Sequence, residues 1–337
     1  MDLSRLEQIL DRASSRRITV IGDLMLDEFV WGKVGRISPE APVPVVEVAG
    51  ESFYPGGAAN VARNLREFVD RVAITGLLGK DHTGQQLQEL LAEQKIDVSQ
   101  LLEDESFRTI LKTRIIARQQ QVVRVDREQL ITLSNEQVQR VVTGVRQSLG
   151  DIDAIIFEDY GKGFLSTAMV SQIAAEASSA GKIIAADPNP RHLIDWRGAT
   201  VVTPNRAEAF FAAGIRGRDA DTAPPDDVDL RRAGETLLQR WETKHVLVTL
   251  GEHGMMLFRQ NERPHYIPTK ARQVFDVSGA GDTAIALFTL GLVCGATPIE
   301  AAEIANHGSA VVVSKLGTAT VTRDELFANF REDSEHE

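Results

Sequence analysis

The sequence has almost no cysteine: among its 337 residues there is one, Cys294. A single cysteine cannot form an internal disulfide or a cysteine-rich metal site. It ends the apolar run Ala286–Cys294, so we interpret it as a small residue of the hydrophobic core. The class of small secreted domains held together by disulfides is therefore excluded.

Long hydrophobic runs and basic tracts are also lacking. No stretch of 18 apolar residues occurs, and residues 1–17 carry charges of both signs instead of the apolar core of a signal peptide. The net charge is −11, from 37 basic and 48 acidic residues. We therefore predict a cytoplasmic protein that contacts neither a membrane nor nucleic acid. Such an acidic chain must bind a phosphorylated ligand with backbone N–H groups and a few local cations.

Short β-rich runs alternate with helical patterns along most of the chain. Strand-like runs occur at 17–22, 72–78, 154–157, 182–186, 199–202 and 245–250, and helical patterns at 58–68, 84–94, 135–149, 166–180 and 230–241. This alternation predicts an α/β fold with a mostly parallel sheet flanked by helices on both faces. We expect one domain over residues 1–330, a surface excursion over 214–229 and a C-terminal tail over 331–337.

Two segments interrupt the alternation, at about 29–48 and 107–126. Neither has the length or the pattern of a helix, and the first contains three prolines. A small antiparallel sheet that stands off the main domain would explain both segments. Such a sheet could act as a lid over the ends of the parallel strands, where ligands bind in open α/β sheets. The alternative is a pair of edge hairpins without a functional role.

The segment Asp276–Thr283, DVSGAGDT, comes directly before an apolar helical run. Glycines and small residues at a helix start allow backbone N–H groups to converge on an anion, and the helix dipole adds to the attraction. An aspartate just inside such a turn could accept a proton from a hydroxyl that attacks a phosphoryl group. The alternative is an N-cap role for Ser278 or Asp282.

DVSGAGDT resembles the C-terminal signature of the ribokinase-like (PfkB) carbohydrate kinases, and further matching elements extend the resemblance over roughly residues 17–320. The resemblance implies a ribokinase-like fold and ATP-dependent phosphorylation of a sugar with Mg²⁺. It also implies that Asp282 is the catalytic base and that Gly279, Ala280 and Gly281 form the anion hole.

Two further elements resemble the parts of the family that bind the sugar. Residues 56–60, GGAAN, match its di-glycine element, which implies that Gly56, Gly57 and Asn60 contact the sugar. Asp27 follows the first strand and is the implied ligand of sugar hydroxyls, whereas Asp23 could equally be structural. Glycine allows a close approach of the backbone, and an amide such as that of Asn60 can both donate and accept.

The nucleotide side resembles the family at three places. Asn205 and Glu208 match its N-x-x-E element, which implies that they hold Mg²⁺ through water. The same residues could form a capping box at a helix start, and the two roles are compatible. Thr249, Gly251 and Gly254 match the family's turn beside the nucleotide, and Asn306 falls where the family contacts adenine. His307 is interpreted as a packed or exposed residue and not as a catalytic one.

Residues 22–64 resemble a narrower branch of the family, the kinases that phosphorylate O1 of D-glycero-β-D-manno-heptose 7-phosphate in lipopolysaccharide synthesis. A substrate that already carries phosphate needs local cations. Those in matching segments are Arg36, Arg118, Arg124 and Lys162, although each could instead pair with a surface carboxylate.

In many relatives of that branch a nucleotidyltransferase domain with an HxGH motif follows, and no HxGH occurs here. We therefore expect the adenylyltransferase on a separate chain, and a homodimer. Three alternatives remain: a family kinase for another sugar, sugar phosphate or nucleoside, a catalytically silent binding module, and a dinucleotide-binding oxidoreductase. Against the last, no G-x-G-x-x-G follows the first strand.

Overall fold

The computed structural model describes residues 1–118, 120–216 and 222–334. Residues 217–221 of the predicted excursion and 335–337 of the predicted tail lie outside the described residues. The strands are β1 (Arg17–Gly22), β2 (Leu24–Ile37), β3 (Pro44–Gly57), β4 (Arg71–Thr75), β5 (Leu77–Gly79), β6 (Leu102–Asp104), β7 (Ile110–Ala117), β8 (Gln120–Arg127), β9 (Ala154–Glu158), β10 (Ile183–Asp187), β11 (Val201–Val202), β12 (His245–Thr249), β13 (Met255–Arg259) and β14 (His265–Ile267).

The helices are α1 (Leu3–Leu10), α2 (Ala58–Arg66), α3 (His82–Glu93), α4 (Asn135–Ser148), α5 (Thr167–Ser179), α6 (Arg206–Ala213), α7 (Val228–Arg240), α8 (Ala280–Val293), α9 (Pro298–Val313) and α10 (Arg323–Ser334). Residues 331–334, which we expected in the tail, form the last turn of α10. No helix of the described residues is both long and apolar enough to cross a lipid bilayer.

The main sheet has eight strands in the order β14-β13-β12-β11-β10-β9-β1-β4. Its pairings are parallel from β12 to β4, and the edge pairings β12–β13 and β13–β14 are antiparallel. Strand β9 is buried along its whole length because helices cover both faces. The predicted mostly parallel sheet with helices on both faces is therefore confirmed.

Each face of the main sheet packs against its own hydrophobic core. In β9, Ile156 points into one core and Ile155 and Phe157 into the other, as the two-residue repeat of a strand requires. The first core also contains residues of α1, α2, α3, α8, α9 and α10, and the second contains residues of α4, α5, α6 and α7. Cys294 is fully buried in the first core, in agreement with its interpretation as a core residue.

A small sheet of four strands, in the order β3-β2-β7-β8, contains the two segments that interrupt the alternation. The outer pairings β2–β3 and β7–β8 are antiparallel, and the central pairing β2–β7 is parallel. Strands β2 and β3 extend beyond the predicted segment 29–48, from Leu24 to Gly57. Because β2 begins only two residues after β1 ends, the small sheet starts at the carboxyl edge of the main sheet.

Candidate active site

The parallel register places acidic residues side by side at the carboxyl edge of the main sheet. Glu158, the last residue of β9, is aligned with Asp187, the last residue of β10, and on its other side with Gly22 of β1. Because β9 and β10 end in register, the carboxylates at their ends lie on neighbouring strands. This edge is where ligands bind in open α/β sheets.

Asp282 joins this edge from the first turn of α8 and is buried. Its carboxylate accepts hydrogen bonds from Asn60 Nδ2 at 2.6 Å and from the Tyr160 hydroxyl at 2.8 Å. Burial raises the pKa of Asp282 to about 6, and these two hydrogen bonds act in the opposite direction. Such a pKa suits a general base near neutral pH.

The turn before α8 is built from glycine and is not capped by a side chain. Gly279 occupies the N-cap position with φ of 82°. A Cβ there would lie 2.8 Å from Asn60 Nδ2, so a larger residue would disturb the contact between Asn60 and Asp282. Neither Ser278 nor Asp282 caps the helix. The Ala280 N–H donates to the carbonyl oxygen of Val277 at a long 3.3 Å, and the start of a helix is a place where N–H groups can bind an anion.

Glu158, Asp187 and Asp282 form an acidic cluster in which one carboxylate oxygen of each residue lies within 4.8 Å of the others. Burial, followed by repulsion between the carboxylates, raises the pKa of both Glu158 and Asp187 well above the ordinary value. Glu158 Oε2 is buried and has no hydrogen-bond partner. A set of buried carboxylate oxygens with an unsatisfied acceptor fits the ligand preference of Mg²⁺.

Of these residues, only Asp282 is predicted from the sequence; Glu158, Asp187 and Tyr160 are not. A signal for Glu158 and Asp187 is present in the sequence, because each comes directly after a strand-like run of the predicted parallel sheet. The pairing of these ends could be inferred only with the strand order β10-β9-β1, which the sequence alone does not provide.

Asn205 and Glu208 form the capping box that the sequence allowed. The Asn205 side chain accepts from Glu208 N at 3.0 Å, and the Glu208 carboxylate accepts from Asn205 N at 2.8 Å. Burial raises the pKa of Glu208, and its charge in turn raises the pKa of Asp187. The helix start therefore points a carboxylate toward the acidic cluster, which is compatible with the implied contact to Mg²⁺ through water.

The remaining residues predicted for the nucleotide line one cavity of about 350 Å³ beside the start of α8. Asn306 donates from Nδ2 to the carbonyl oxygen of Pro268 at 2.7 Å, so it fixes a wall of this cavity. His307 is buried and stacks on Phe330, in agreement with its interpretation as a packed residue. The lining includes Thr249, Gly251, Gly254, Ala280, Gly281 and Asn306, and also Val274 and Val277, which the sequence analysis did not name.

The sugar-side residues meet where β2, β3 and α2 approach the carboxyl edge. Gly56 is paired with Met25, and a Cβ at position 56 would lie 2.4 Å from Asp27 Oδ2. Asp27 is buried and forms an ion pair with Arg114 of β7, a residue that the sequence analysis missed. Asn60 holds Asp282, so its amide lies beside the proposed base.

Asp23 has a structural position. Its carboxylate accepts from the backbone N–H groups of Tyr160 at 2.9 Å, Lys162 at 3.0 Å and Phe164 at 3.1 Å. Burial raises the pKa of Asp23 to about 6 in spite of these bonds. The residue holds the loop of residues 159–164, which follows β9.

The four cations predicted for a distal phosphate are not brought together. Lys162 forms an ion pair with Glu128 at 2.8 Å, and Arg124 forms one with Asp126 at 2.9 Å, both near Asp27. Arg36 is nine residues beyond Asp27 on β2, which at the rise of a strand is about 30 Å away. Arg118 donates its backbone N–H to Gly32, five residues beyond Asp27. Both arginines are exposed.

Comparison with known proteins agrees with this geometry. Residues 15–325 match the model of the pfkB family of carbohydrate kinases. The chain is 41% identical over 326 residues to the bifunctional protein HldE of Pelobacter propionicus, which covers 97% of this chain and 65% of that protein. It is 41% identical over 314 residues to HldE of Helicobacter hepaticus, and this match covers 93% of this chain and 64% of that protein. The chain thus spans slightly less than two thirds of the length of these relatives.

Solved structures show the same fold at low sequence identity. Ribokinase of Arabidopsis thaliana, complexed with ribose and ATP, is 18% identical, with a TM-score of 0.69 over 94% of this chain and 99% of that one. Phosphofructokinase-2 of Escherichia coli, in complex with potassium, is 19% identical, with a TM-score of 0.75 over 95% of this chain and 99% of that one. The predicted ribokinase-like fold is confirmed. The chain therefore belongs to the pfkB family of carbohydrate kinases.

Proposed function

We propose that this kinase phosphorylates O1 of D-glycero-β-D-manno-heptose 7-phosphate to the 1,7-bisphosphate, a step toward ADP-heptose and the lipopolysaccharide core. The observation that carries the proposal is a group of cations on the face of the small sheet beside Asp27, in a chain of net charge −11. We name this group the small-sheet cations: Lys112, Arg114, Arg124 and Lys162.

The register of the small sheet explains why three of these cations share one face, and Lys162, from the loop after β9, joins them through its ion pair with Glu128. Asp27 of β2 is aligned with Lys112 of β7, which is aligned with Asp126 of β8. Two residues further along β7, Arg114 is aligned with Arg124. Because side chains alternate between the faces of a sheet, these residues all point to the side of Asp27.

The cations outnumber the carboxylates that pair with them. Lys112 Nζ lies 3.2 Å from Asp126 and 3.3 Å from Glu128, and its side chain is only 12% exposed. Lys162, at 17% exposed, shares Glu128. Four cations thus face three carboxylates, Asp27, Asp126 and Glu128, which leaves one positive charge. A phosphate group could replace a carboxylate partner and form charge-assisted hydrogen bonds with several cations at once.

In the proposed mechanism, Asp27 and the Gly56–Gly57 turn hold the sugar against the carboxyl edge. Asp282 accepts the proton of the O1 hydroxyl as this oxygen attacks the γ-phosphorus of ATP, and the bond from that phosphorus to the β,γ-bridging oxygen breaks to release ADP. Backbone N–H groups of residues 279–281 stabilise the charge on the transferred group. Glu158 and Asp187, and through water Asn205 and Glu208, are the residues that would hold Mg²⁺, whose chemistry there would be to offset phosphate charge.

We also propose that the small sheet is a lid, within a single domain over residues 1–330, and that two chains associate as a homodimer. Exposed apolar residues of the small sheet support the dimer: Ile37, Val48, Val123 and Val125 are 40–61% exposed. The relatives are called bifunctional, so we propose that an adenylyltransferase acts with this kinase in the later step. All of these steps would take place in the cytoplasm.

The experiment that tests the substrate measures ADP release with Mg·ATP and three sugars. These are D-glycero-β-D-manno-heptose 7-phosphate, the same heptose without phosphate, and fructose 6-phosphate. We expect turnover on the heptose phosphate alone. Comparable kcat/KM on fructose 6-phosphate or on the unphosphorylated heptose would favour the second candidate, a family kinase for another sugar, and would remove the role of the small-sheet cations.

A further inference from the structure

Tyr160 connects the loop after β9 with the carboxylate of Asp282. The tyrosine is half-buried, and its hydroxyl donates to Asp282 Oδ1 at 2.8 Å. Its ring lies against the di-glycine turn, since a Cβ at Gly57 would be 3.6 Å from Tyr160 Cδ2. The ring therefore fills the space between the turn that holds the sugar and the group that would accept the proton.

The loop that carries Tyr160 is held in place on both sides. Asp23 accepts from the backbone N–H of Tyr160 itself and from those of Lys162 and Phe164. The carbonyl oxygen of Lys162 accepts from Ile131 N at 2.6 Å, which ties the loop to the segment after the small sheet. The position of the phenol is thus fixed by the backbone and does not depend on a mobile surface loop.

The two oxygens of Asp282 are held by two different donors. Tyr160 binds Oδ1, and Asn60 binds Oδ2 from the opposite side of the site, from helix α2. Two neutral donors on separate elements define the plane of the carboxylate. Each carboxylate oxygen has a second lone pair, so Oδ2 can still accept a proton from a substrate hydroxyl.

We propose that Tyr160 is a positioning residue for the reaction, which orients the carboxylate of Asp282 toward the attacking hydroxyl through its hydrogen bond to Oδ1. The inference rests on the proposed role of Asp282 as the base. Misplacement of a reacting group by about 1 Å can reduce a rate about 100-fold. The hydrogen bond contributes nothing to the nucleotide cavity, whose lining does not include Tyr160.

The first test compares Tyr160→Phe with Tyr266→Phe in steady-state assays with the heptose phosphate and Mg·ATP. Tyr266 lies on the edge strand β14, so Tyr266→Phe is a matched control that also removes one phenol hydroxyl. We expect Tyr160→Phe to lower kcat about 5- to 100-fold while the KM for ATP and the melting temperature stay near wild type. The control should keep wild-type kcat. A kcat of Tyr160→Phe within about twofold of wild type overturns the proposal.

The second test is a double-mutant cycle with Asp282→Asn, measured by its residual turnover. If Tyr160 acts through Asp282, Tyr160→Phe has little further effect once the base is removed, and the two losses are strongly non-additive. Equal fold-losses in both backgrounds would show a general structural role and overturn the inference.

The failure of the inference can be distinguished from the failure of the proposed function. Wild-type inactivity on the heptose phosphate would reject the substrate, and the same cycle then applies to the sugar that the enzyme does phosphorylate. Near wild-type kcat of Asp282→Asn would reject the base itself. A large loss in Asp282→Asn together with none in Tyr160→Phe rejects only the positioning role.

Discussion

Two groups of charged side chains flank the proposed sugar site, and they are built in opposite ways. In the acidic cluster at the carboxyl edge of the main sheet, three carboxylates approach one another, and no ion pair joins them to lysine or arginine within the described part of the chain. On the small sheet, by contrast, Asp27, Asp126 and Glu128 each have a cationic partner.

The difference shows in the proton affinities of the two groups. Burial and mutual repulsion raise the pKa of Glu158 and Asp187, and burial raises the pKa of Asp282. Hydrogen bonds from Lys162 and Lys112 lower the pKa of Glu128, and those from Arg124 and Lys112 lower that of Asp126. A buried group of anions without a cation is costly, so it indicates a site for a bound cation. A fully paired group is stable by itself and can exchange one partner for a substrate anion.

The largest expected effect concerns the acidic cluster. Asp282→Asn should lower kcat about 10²–10⁴-fold, the usual contribution of a general base, since an amide cannot accept the proton. Folding stability should change little, because the amide has the same shape. Steady-state ADP release and a thermal melt measure both.

The matched control for this change is Asp151→Asn. Asp151 pairs with Arg17 at the opposite end of the strands and is largely exposed. It should keep wild-type kcat. A near wild-type kcat for Asp282→Asn would mean that the acidic cluster only binds a cation and supplies no base.

The next effect concerns the small-sheet cations. Lys162→Gln should raise the KM for the heptose phosphate about 10- to 100-fold, the range of one hydrogen bond between charged groups. The KM for ATP should not change. Lys80→Gln, which removes an exposed lysine paired with Glu105, is the control. An unchanged KM for the sugar phosphate would leave the small sheet as a structural ion-pair network.

A third experiment tests how much the carboxylates of the acidic cluster, which lack cationic partners, reduce the free energy of unfolding. Because the folded state raises the pKa of Glu158, it holds the proton more tightly than the unfolded chain does. The stability of the metal-free protein should therefore fall as pH rises from the unfolded pKa of about 4 through the higher folded pKa. Glu158→Gln does not titrate and should lack this part of the decline.

At pH 8 without Mg²⁺ we therefore expect Glu158→Gln to be more stable than wild type by about 1–3 kcal/mol, the cost of an unsatisfied buried polar group. The difference should be small near pH 4, and Mg²⁺ should stabilise the wild type more than the variant. Denaturant unfolding at the two pH values measures it. A difference that does not depend on pH would mean that folding does not raise the pKa of Glu158.

The smallest expected effect concerns the capping box of α6, which we compare with that of α9. Asn205→Ala should cost about 1 kcal/mol of stability and raise the KM for Mg·ATP several-fold, since it also releases Glu208. Thr297→Ala removes the capping box of α9, whose carboxylate pairs with Arg5. It should cost about the same stability without an effect on KM. Equal KM values in the two variants would assign Asn205 a capping role only.

Local motifs of the site were predictable because they depend on neighbouring residues. The turn at Gly279, the capping box of Asn205 and Glu208, and the cavity wall at Thr249 are each built within a few residues of sequence. Their backbone conformations and first hydrogen bonds follow from glycine, asparagine and glutamate at fixed spacings. The alternation of strands and helices also determined the fold class by itself.

The partners of the charged groups were decided only by the tertiary structure. Tyr160 and Asn60 reach Asp282 across 122 and 222 residues of sequence, and Arg114 reaches Asp27 across 87. Such contacts depend on strand order, and the contact between Asp27 and Arg114 also depends on pairing register, because a shift of one residue turns a strand side chain to the other face. For this reason Arg114 was missed, whereas Arg36 and Arg118, in matching segments of sequence, lie far from Asp27 along the strands of the small sheet.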